Sequence, residues 1–297
     1  MDSYEAPPAN RVTAMKVERL SSPTDFMSRA GGTLASNEAR WGLMLGIAKR
    51  LVVDPHAYGS PDPWFLLVTD EKGLRAAAMR TPPFKVLLAH FSGDLESVAA
   101  VLTDSISQLS DAIPGVVGDI EIADRFVECW SAKHKIIVKG KIAQRLYRLE
   151  KVNRIKLSRG KLRLATAGDR EVLVGWAHSF HEEVFLPANT NTPEDDINPK
   201  IDRREVYVWE DGVPVSMAAT TRPTENGIAI AFVYTPPRLR RKGYATSCVA
   251  TVSKELLRAG YEFCTLYTDL SNPTSNSIYK KIGFQEVCDS VEYAFSI

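Results

Sequence analysis

The sequence has no long hydrophobic run and few cysteines. Its longest apolar stretches, at residues 64–68 and 228–233 of 297, are much shorter than the roughly 20 residues that a helix needs to span a bilayer. The first twelve residues carry acids and prolines where a signal peptide has a basic end and an apolar segment. The four cysteines form no C-x-x-C pair. These absences predict a cytoplasmic protein with reduced cysteines, no membrane segment and no bound metal.

An excess of charge of one sign is also missing. Lys and Arg number 37 and Asp and Glu 36, so net charge favours neither nucleic acid nor a membrane surface as a partner. One segment departs from this balance, because residues 133–163 contain 12 basic residues and a single acid, Glu150. We interpret this basic face as solvated surface offset by nearby acids. A polyanion-binding surface is the alternative, although Tyr147 is the only aromatic residue among these charges.

The last 90 residues have a readable order of elements. Residues 205–210, 213–220 and 228–234 are β-rich runs separated by turn residues, which predicts an antiparallel meander. From Gly243 the apolar residues recur with helical spacing until Gly260. A short strand at 264–268, a helix from Asn272-Pro273 to about Ile282 and a strand at 292–296 complete an α+β order.

The first half repeats this order. Residues 64–69 and 85–91 correspond to strands of the second half, 95–109 to its helix after Gly243, and 115–120, 125–134 and 145–152 to the last three elements. We therefore predict an N-terminal tail at 1–13, one unit at 14–156 and a second at 157–297. Each unit is expected to be a mostly antiparallel mixed sheet flanked by helices. A chance alignment of two α+β segments is the alternative.

Helices are also expected before each sheet. Ser36 is the predicted N-cap of a helix in the first half, and residues 169–185 form the corresponding helix in the second. Residues 186–200 are polar and rich in Pro and Asn, which predicts a loop that covers a site as a lid.

The segment at 233–246, VYTPPRLRRKGYAT, carries the clearest chemistry. Two prolines end a strand, four of the five residues at 238–242 are basic, and Gly243 opens a helix. Free N–H groups at a helix start, the helix dipole and nearby guanidinium groups together favour a pyrophosphate. The common nucleotide fingerprints G-x-x-x-x-G-K-[ST] and G-x-G-x-x-G are absent, and R-x-x-G-x-A remains at Arg240, Gly243 and Ala245.

This loop, with the segment DLSNPTSNSIYKKIGF at 269–284, resembles the two signatures of the GNAT superfamily of acyl-CoA N-acyltransferases. The resemblance covers residues 205–297, and the two-unit layout is similar to bacterial tandem GNAT proteins with a degenerate first unit. It implies acetyl-CoA as acyl donor, a small-molecule or peptide amine as acceptor and an N-acetyltransferase activity that needs no metal. Nucleic acid is not an expected partner.

The resemblance also implies a role for each matching residue. Tyr279 would protonate the departing thiolate, Asn272 would steady the end of the strand before it, and Asn276 would reach the pantetheine. The remaining cofactor contacts would come from the strand end and the loop: Val233, Tyr234, Thr235, Arg240, Arg241, Lys242, Gly243, Tyr244, Ala245 and Thr246. For Asn272 a helix cap, and for Tyr279 core packing, are the alternative interpretations.

The superfamily often places a glutamate on the central strand as general base, and here residues 228–233 contain no acid. His181, Glu182 and Glu183 on the preceding helix are the nearest polar candidates, and we assign Glu183 as the catalytic base. A solvated helix face is the alternative for all three.

The first unit lacks the loop, because Ser92-Gly93-Asp94 leads directly into its helix and Asp94 would repel a phosphate. The second unit is therefore predicted to be catalytic, transferring acetyl to a primary amine in a ternary complex. The two alternatives are a CoA-binding sensor without turnover and a polyanion-binding protein.

Overall fold

The computed structural model describes residues 14–110, 112–184 and 191–296. Its first half contains six strands and four helices: β1 (Lys16–Leu20), α1 (Pro23–Ser36), α2 (Glu38–Val53), β2 (Trp64–Asp70), β3 (Gly73–Arg80), β4 (Val86–His90), α3 (Leu95–Leu109), β5 (Gly115–Asp119), α4 (Ile120–Lys133) and β6 (Ile137–Leu149).

The second half repeats the same order of elements, as the sequence predicts. Its strands and helices are β7 (Lys161–Leu164), α5 (Arg170–Val184), α6 (Pro193–Asp202), β8 (Val206–Asp211), β9 (Val213–Thr221), β10 (Gly227–Tyr234), α7 (Tyr244–Arg258), β11 (Phe263–Asp269), α8 (Pro273–Ile282) and β12 (Gln285–Ser296).

All twelve strands form one sheet in the order β1-β2-β3-β4-β5-β12-β6-β11-β10-β9-β8-β7. Exchanging each strand of one half for its counterpart in the other gives the same order read from the opposite edge of the sheet. The two halves are therefore related by an approximate two-fold operation. The last strand of each half completes the other half's sheet. β12 pairs with β5, β6 pairs with β11, and β6 and β12 pair with each other at the centre.

Helices cover both faces of the sheet in two layers. α1 and α2 pack on one face of the first half around Phe65 and Leu67, and α5 and α6 pack on the same face of the second half. α3 and α4 cover the opposite face of the first half, and α7 and α8 that of the second. α2 reaches across the junction, because it contacts β4 of its own half and β10 and β12 of the other.

Two local expectations are wrong. Asn37, not Ser36, caps α2, because its side chain accepts the Arg40 N–H at 3.4 Å while Ser36 ends α1. Residues 193–202 form α6 rather than a continuous loop, since Thr192 and Asp195 build a capping box before a helix that begins with proline. The part of the predicted lid at residues 186–190 lies outside the described residues.

The α+β architecture, a mixed sheet with helices on both faces and two equivalent units, confirms the predicted fold class. The boundary between units at 156/157 stays a prediction. Of the helices in the described part of the chain, none combines the length and the apolar character that crossing a membrane requires. Within the same residues, no three His, Cys, Asp or Glu side chains are grouped as a metal ion would need.

Candidate active site

The site begins where two parallel strands separate. β10 and β11 pair only through Gly227, Ile228 and Ala229, the last of these opposite Thr265. Beyond this point β10 turns away, because Phe232 adopts a left-handed conformation with φ of 51° and the pairing of β10 with β9 shifts register there. The strand ends therefore leave main-chain groups of β10 without a partner from β11, beside the start of α7.

The loop between β10 and α7 presents unpaired backbone donors. Gly243 has φ of 81° and Arg241 φ of 63°, so the chain turns twice through the left-handed region before α7 begins. The first helical hydrogen bond runs from Ser247 N–H to the Gly243 carbonyl oxygen at 2.9 Å. Among the described residues, none accepts a hydrogen bond from the N–H groups of residues 241–246. Six donors at the positive end of a helix dipole form an anion-binding arrangement.

Arg240 fixes the start of this loop. Its Nε donates to the Thr235 carbonyl oxygen at 2.8 Å, and its Nη2 donates to both oxygens of Glu183 at 2.7 and 2.8 Å. The guanidinium also lies 5.6 Å from the centroid of the Tyr234 ring. Two of the predicted site residues, Arg240 and Glu183, are therefore brought together as an ion pair between the loop and α5.

The start of α7 is also held from outside the loop. Tyr244 donates its hydroxyl to Asp211 at 2.9 Å, and the segment between the two halves reaches it at Ser158, whose N–H donates to the Ser247 hydroxyl at 2.7 Å. The nearest atom to a Cβ placed on Gly243 is that of Ser158, at 3.8 Å. Space alone does not require glycine here, so the positive φ is the local reason for Gly243.

α8 begins beside the end of β11. Asn272 caps this helix, since its side chain accepts the Ser275 N–H at 3.0 Å. Asn276 donates to the carbonyl oxygens of Asp269 and Asn272 at 2.9 and 2.7 Å and accepts the Tyr147 hydroxyl at 2.9 Å. Both N–H donors of its amide are thus used within the protein, whereas its oxygen has a second lone pair that can accept a hydrogen bond from a pantetheine.

Tyr279 lies one turn further along α8. Its ring is buried, with the Tyr147 and Phe284 ring centroids at 6.4 and 5.8 Å. In residues 14–110, 112–184 and 191–296 its hydroxyl has no hydrogen-bond partner, and it keeps a small solvent-accessible area. Burial raises the pKa of Tyr279 above that of an ordinary tyrosine. The phenol is therefore protonated at neutral pH and free to donate its proton to a ligand.

Comparison with solved structures identifies this architecture. An acetyltransferase of the GNAT family from Colwellia psychrerythraea superposes with a TM-score of 0.56 at 13% identity, covering 95% of this chain and all of its own. A GCN5-related N-acetyltransferase from Sphaerobacter thermophilus gives 0.60 at 14% identity, over 94% of both chains. A tandem GNAT protein from the clavulanic acid biosynthesis pathway gives 0.50 at 11% identity, over 95% of this chain and 97% of its own.

The chain has a tandem GNAT fold. The family model described as FR47-like protein matches residues 211–294, which include the loop at 240–246 and the whole of α8. No curated protein sequence matches the chain significantly. At these identities the structural likeness establishes the fold, and the chemistry has to be argued from the residues of this chain.

The first GNAT unit has the strand separation but lacks the anion site. β4 and β5 pair in parallel only at Val86 and Leu87. The start of α3 is closed by Asp94, whose carboxylate accepts the Ser97 N–H and hydroxyl at 2.8 and 2.6 Å. These hydrogen bonds lower the pKa of Asp94, so its negative charge occupies the place where an anion would bind.

The basic face at 133–163 is largely paired with acids. Arg145 binds Asp289 and Glu286, with closest distances of 2.5 and 2.8 Å, and Arg163 binds Asp169 and Glu210, each at 2.7 Å. Further pairs join Lys133, Lys141, Arg148, Arg159 and Lys161 to nearby carboxylates. This pattern favours solvated surface over a polyanion-binding surface.

The two histidines of α5 have structural contacts. His178 and His181 lie 2.7 and 2.9 Å from Glu194 and Asp196 of α6, so they join the two helices.

The sequence analysis did not identify three residues near the site. These are Phe232 of β10, Arg222 in the β9–β10 turn and Glu38 of α2. No local pattern marks them, because Glu38 meets the 224–227 turn only through the contact between the two halves.

Proposed function

We propose that the second GNAT unit is an N-acyltransferase that moves an acetyl group from acetyl-CoA to a primary amine. The observation that carries the proposal is the set of six unpaired N–H groups at 241–246, placed beside the separated ends of β10 and β11. A pyrophosphate fits the N–H groups, and an extended pantetheine arm fits the main chain at Val233 and Thr235, beyond the part of β10 that pairs with β11. The acyl group would then lie near the point of strand separation at Ala229.

The reaction proceeds by direct attack. The neutral amine attacks the thioester carbonyl carbon, a strand N–H stabilises the resulting oxyanion, and collapse of the tetrahedral intermediate breaks the carbon–sulfur bond. The attacking nitrogen loses a proton to the candidate base Glu183, the leaving thiolate takes a proton from the Tyr279 hydroxyl, and exchange with solvent returns both groups to their starting protonation states. The unpartnered hydroxyl of Tyr279 supports this role, because it is available to donate to the leaving sulfur.

Glu183 is our candidate general base, and its ion pair with Arg240 offers a second role as a loop anchor. The two roles predict different kinetics for Glu183→Gln. A base contributes about 10² to 10⁴-fold, so kcat would fall while the KM for acetyl-CoA stays unchanged. An anchor would raise that KM and leave kcat nearly intact. Steady-state kinetics with varied acetyl-CoA separate the two, and a change confined to this KM contradicts the assignment of Glu183 as base.

The test of the whole proposal is CoA binding and thiol release. Calorimetry should give one CoA per chain, and a panel of amines should contain acceptors that release thiol from acetyl-CoA. Gly243→Trp should abolish CoA binding, because φ of 81° disfavours any side chain and the indole would cover the N–H groups. Gly260→Trp is the matched control, since Gly260 also has positive φ but lies at the other end of α7. Two equivalent sites per chain would contradict the proposal.

A sensor that binds CoA without turnover remains the rival proposal. It predicts the same stoichiometry and no thiol release with any amine. A polyanion-binding protein would instead bind heparin or RNA with strong salt dependence and without CoA. We also propose a cytoplasmic location, which fractionation of cells that express the protein tests directly.

A further inference from the structure

A cleft lies under α2, next to the point where β10 and β11 separate. It is bounded by α2 of the first GNAT unit and by β10 and β11 of the second. Ala229 and Thr265, the last residue pair before the strands separate, both line it. A ligand in this cleft would therefore sit within reach of an acyl group held at the separation point.

Arg222 contributes a guanidinium group to this cleft. It follows β9 directly, in a left-handed conformation with φ of 48°. α2 passes close above it, since a Cβ on Gly46 would lie 2.8 Å from the Cβ of Arg222. Only a glycine at position 46 allows the helix to approach this closely, so the packing of α2 holds Arg222 in place.

The guanidinium of Arg222 has no anionic partner in the described part of the chain. Its side chain makes neither an ion pair nor a hydrogen bond there. Burial lowers the pKa of Arg222, and the hydroxyls of Tyr267 and Tyr58 oppose this effect only in part. Arg222 is only partly buried, so its guanidinium keeps an accessible side that faces the cleft. A ligand in the cleft can therefore supply the anionic partner that the described residues do not provide.

The carboxylate that shares the cleft does not neutralise Arg222. Glu38 accepts the N–H groups of Asn226 and Gly227 at 2.8 and 3.3 Å and the Asn226 side-chain amide at 2.8 Å. Desolvation would raise the pKa of Glu38, but these hydrogen bonds and one from Thr224 outweigh it and lower the pKa. Its two oxygens therefore hold the turn at 224–227 and fix α2 against β10.

A second cation lies close to Arg222. Lys200 of α6 has a side chain that is only 13% exposed, and its nearest carboxylate, Glu205, is 3.9 Å away. Desolvation, together with the charges of Arg222 and Arg203, lowers the pKa of Lys200 to about 8, although the Glu205 carboxylate opposes this effect. The region between α2 and α6 thus has a positive potential that the neighbouring acids do not cancel.

We propose that this cleft is the acceptor subsite and that Arg222 binds a carboxylate group of the acceptor amine. The inference rests on the proposed function and deepens it, because it assigns the substrate class as small amino carboxylates. A guanidinium pairs with a carboxylate through two parallel hydrogen bonds, which also orients the rest of the molecule. With the carboxylate at Arg222, the amino group extends past Ala229 toward the thioester. The first GNAT unit supplies one wall of the subsite through α2.

The experiment compares acceptors that differ only at the anionic group. Glycine, β-alanine and γ-aminobutyrate are paired with ethylamine, propylamine and butylamine, in which a methyl group replaces the carboxylate. For at least one pair, kcat/KM of the wild type should be about 10- to 100-fold higher for the amino carboxylate, as a hydrogen bond to a charged group provides. Arg222→Met should remove this preference by raising KM for the carboxylate and leave the alkylamine rate unchanged.

Two further variants keep the test decisive. Arg222→Lys retains the charge without the planar fork and should keep part of the preference, even if the methionine variant does not fold. Arg19→Met removes an exposed arginine of β1 and should change nothing. Thermal unfolding of each variant checks that the fold is retained. Equal losses for both members of a pair, or no preference in the wild type, would overturn the subsite.

Binding without turnover separates this inference from the proposed function. N-acetyl-β-alanine should bind the wild-type protein in calorimetry, and its dissociation constant should rise about 10-fold or more in Arg222→Lys and Arg222→Met. Arg222-dependent binding with no thiol release from any amine would refute the N-acyltransferase and keep the anion site. Thiol release from the amino carboxylates that is equally fast in wild type, Arg222→Lys and Arg222→Met would keep the N-acyltransferase and refute the anion site. A preference for 2-aminoethylphosphonate over β-alanine would overturn the carboxylate assignment in favour of a phosphate group.

Discussion

Tyr279 gives the sharpest test at the scale of a single residue. Tyr279→Phe keeps the ring and its contacts with Tyr147 and Phe284 and removes only the unpartnered hydroxyl. We expect kcat to fall by about 10²-fold, the lower end for general acid catalysis, while the dissociation constant for acetyl-CoA changes little. Single-turnover rates and calorimetry on the same variant measure the two quantities.

The control for this variant is Tyr261→Phe, which removes a partly buried hydroxyl from the same hydrophobic cluster. It should leave kcat unchanged. If Tyr279→Phe retains full kcat, the thiolate leaves without help from this phenol, and if it loses acetyl-CoA affinity while remaining folded, the hydroxyl is a binding contact.

The residues that sequence reasoning located are those whose geometry is determined locally. Gly243 at the helix start and Asn272 as a cap follow from a few neighbouring residues, and the structure places both as predicted. Arg222 could not be found in this way. Its position depends on a left-handed turn that no glycine marks and on a helix about 175 residues earlier in the chain.

At the scale of elements, the start of α5 depends on one carboxylate. Asp169 accepts two hydrogen bonds from Arg163 at 2.7 and 2.8 Å, and both the N–H and the hydroxyl of Thr166 donate to it at 2.8 Å. The Arg163 hydrogen bonds are the largest cause that lowers the pKa of Asp169 to about 2, although burial opposes them. The cluster therefore ties β7 to the first turn of α5.

This lowered pKa predicts a pH dependence of stability. Because the folded protein holds Asp169 ionised down to about pH 2, its contribution of about 2 kcal/mol is complete above the unfolded pKa near 3.9. It is lost as the pH falls from about 4 to about 2. Asp169→Asn should lower the free energy of unfolding by about that amount at pH 7, and the difference from wild type should shrink below pH 4.

Urea unfolding at a series of pH values measures this difference. Glu171→Gln, an exposed acid in the first turn of the same helix, is the control and should cost less than about 0.5 kcal/mol. A difference that persists unchanged at pH 2 would show that shape, not charge, accounts for the effect.

Element types were predictable to different degrees. The meander β8–β10 and the helices α3 and α7 follow from turn residues and apolar spacing, and the structure agrees within a few residues. α6 was not predicted, because Pro193 and Pro199 are typical of a loop. The capping box of Thr192 and Asp195 is the signal that could have indicated the helix. β6 begins at Ile137, eight residues before its predicted start at 145. Residues 137–141 are mostly exposed and show no alternation of buried and exposed side chains, so the sequence does not mark them as a strand. Their pairing with β12 makes them one.

At the scale of the whole molecule, the exchanged strands predict how a cut chain behaves. Cleaving between residues 156 and 157, both exposed, leaves β6 in one fragment and β12 in the other. The two fragments still share the β6–β12 ladder over eleven residue pairs and the pairing of β6 with β11. We expect co-expressed 1–156 and 157–297 to purify as one complex through a tag on either fragment.

This expectation depends on the pairing of β6 with β12 at the centre of the sheet, and one variant tests that pairing. Ala143→Pro places a proline in β6 opposite Val291 of β12, where it removes a donor and disrupts the ladder. It should release the fragments from each other. If the unmodified fragments elute separately, the boundary at 156/157 divides two independent domains.

The near-palindromic strand order has an evolutionary consequence. Two identical subunits that trade their last strands already form this sheet, so a duplicated gene needs only a short connecting peptide to encode the pair as one chain. In a symmetric pair every substitution appears in both sites, whereas in the fused chain it appears once. Asp94 then closes one anion site at no cost to the other. Selection can discard the chemistry of the first half, but not the half itself, because its strand completes the sheet of the other.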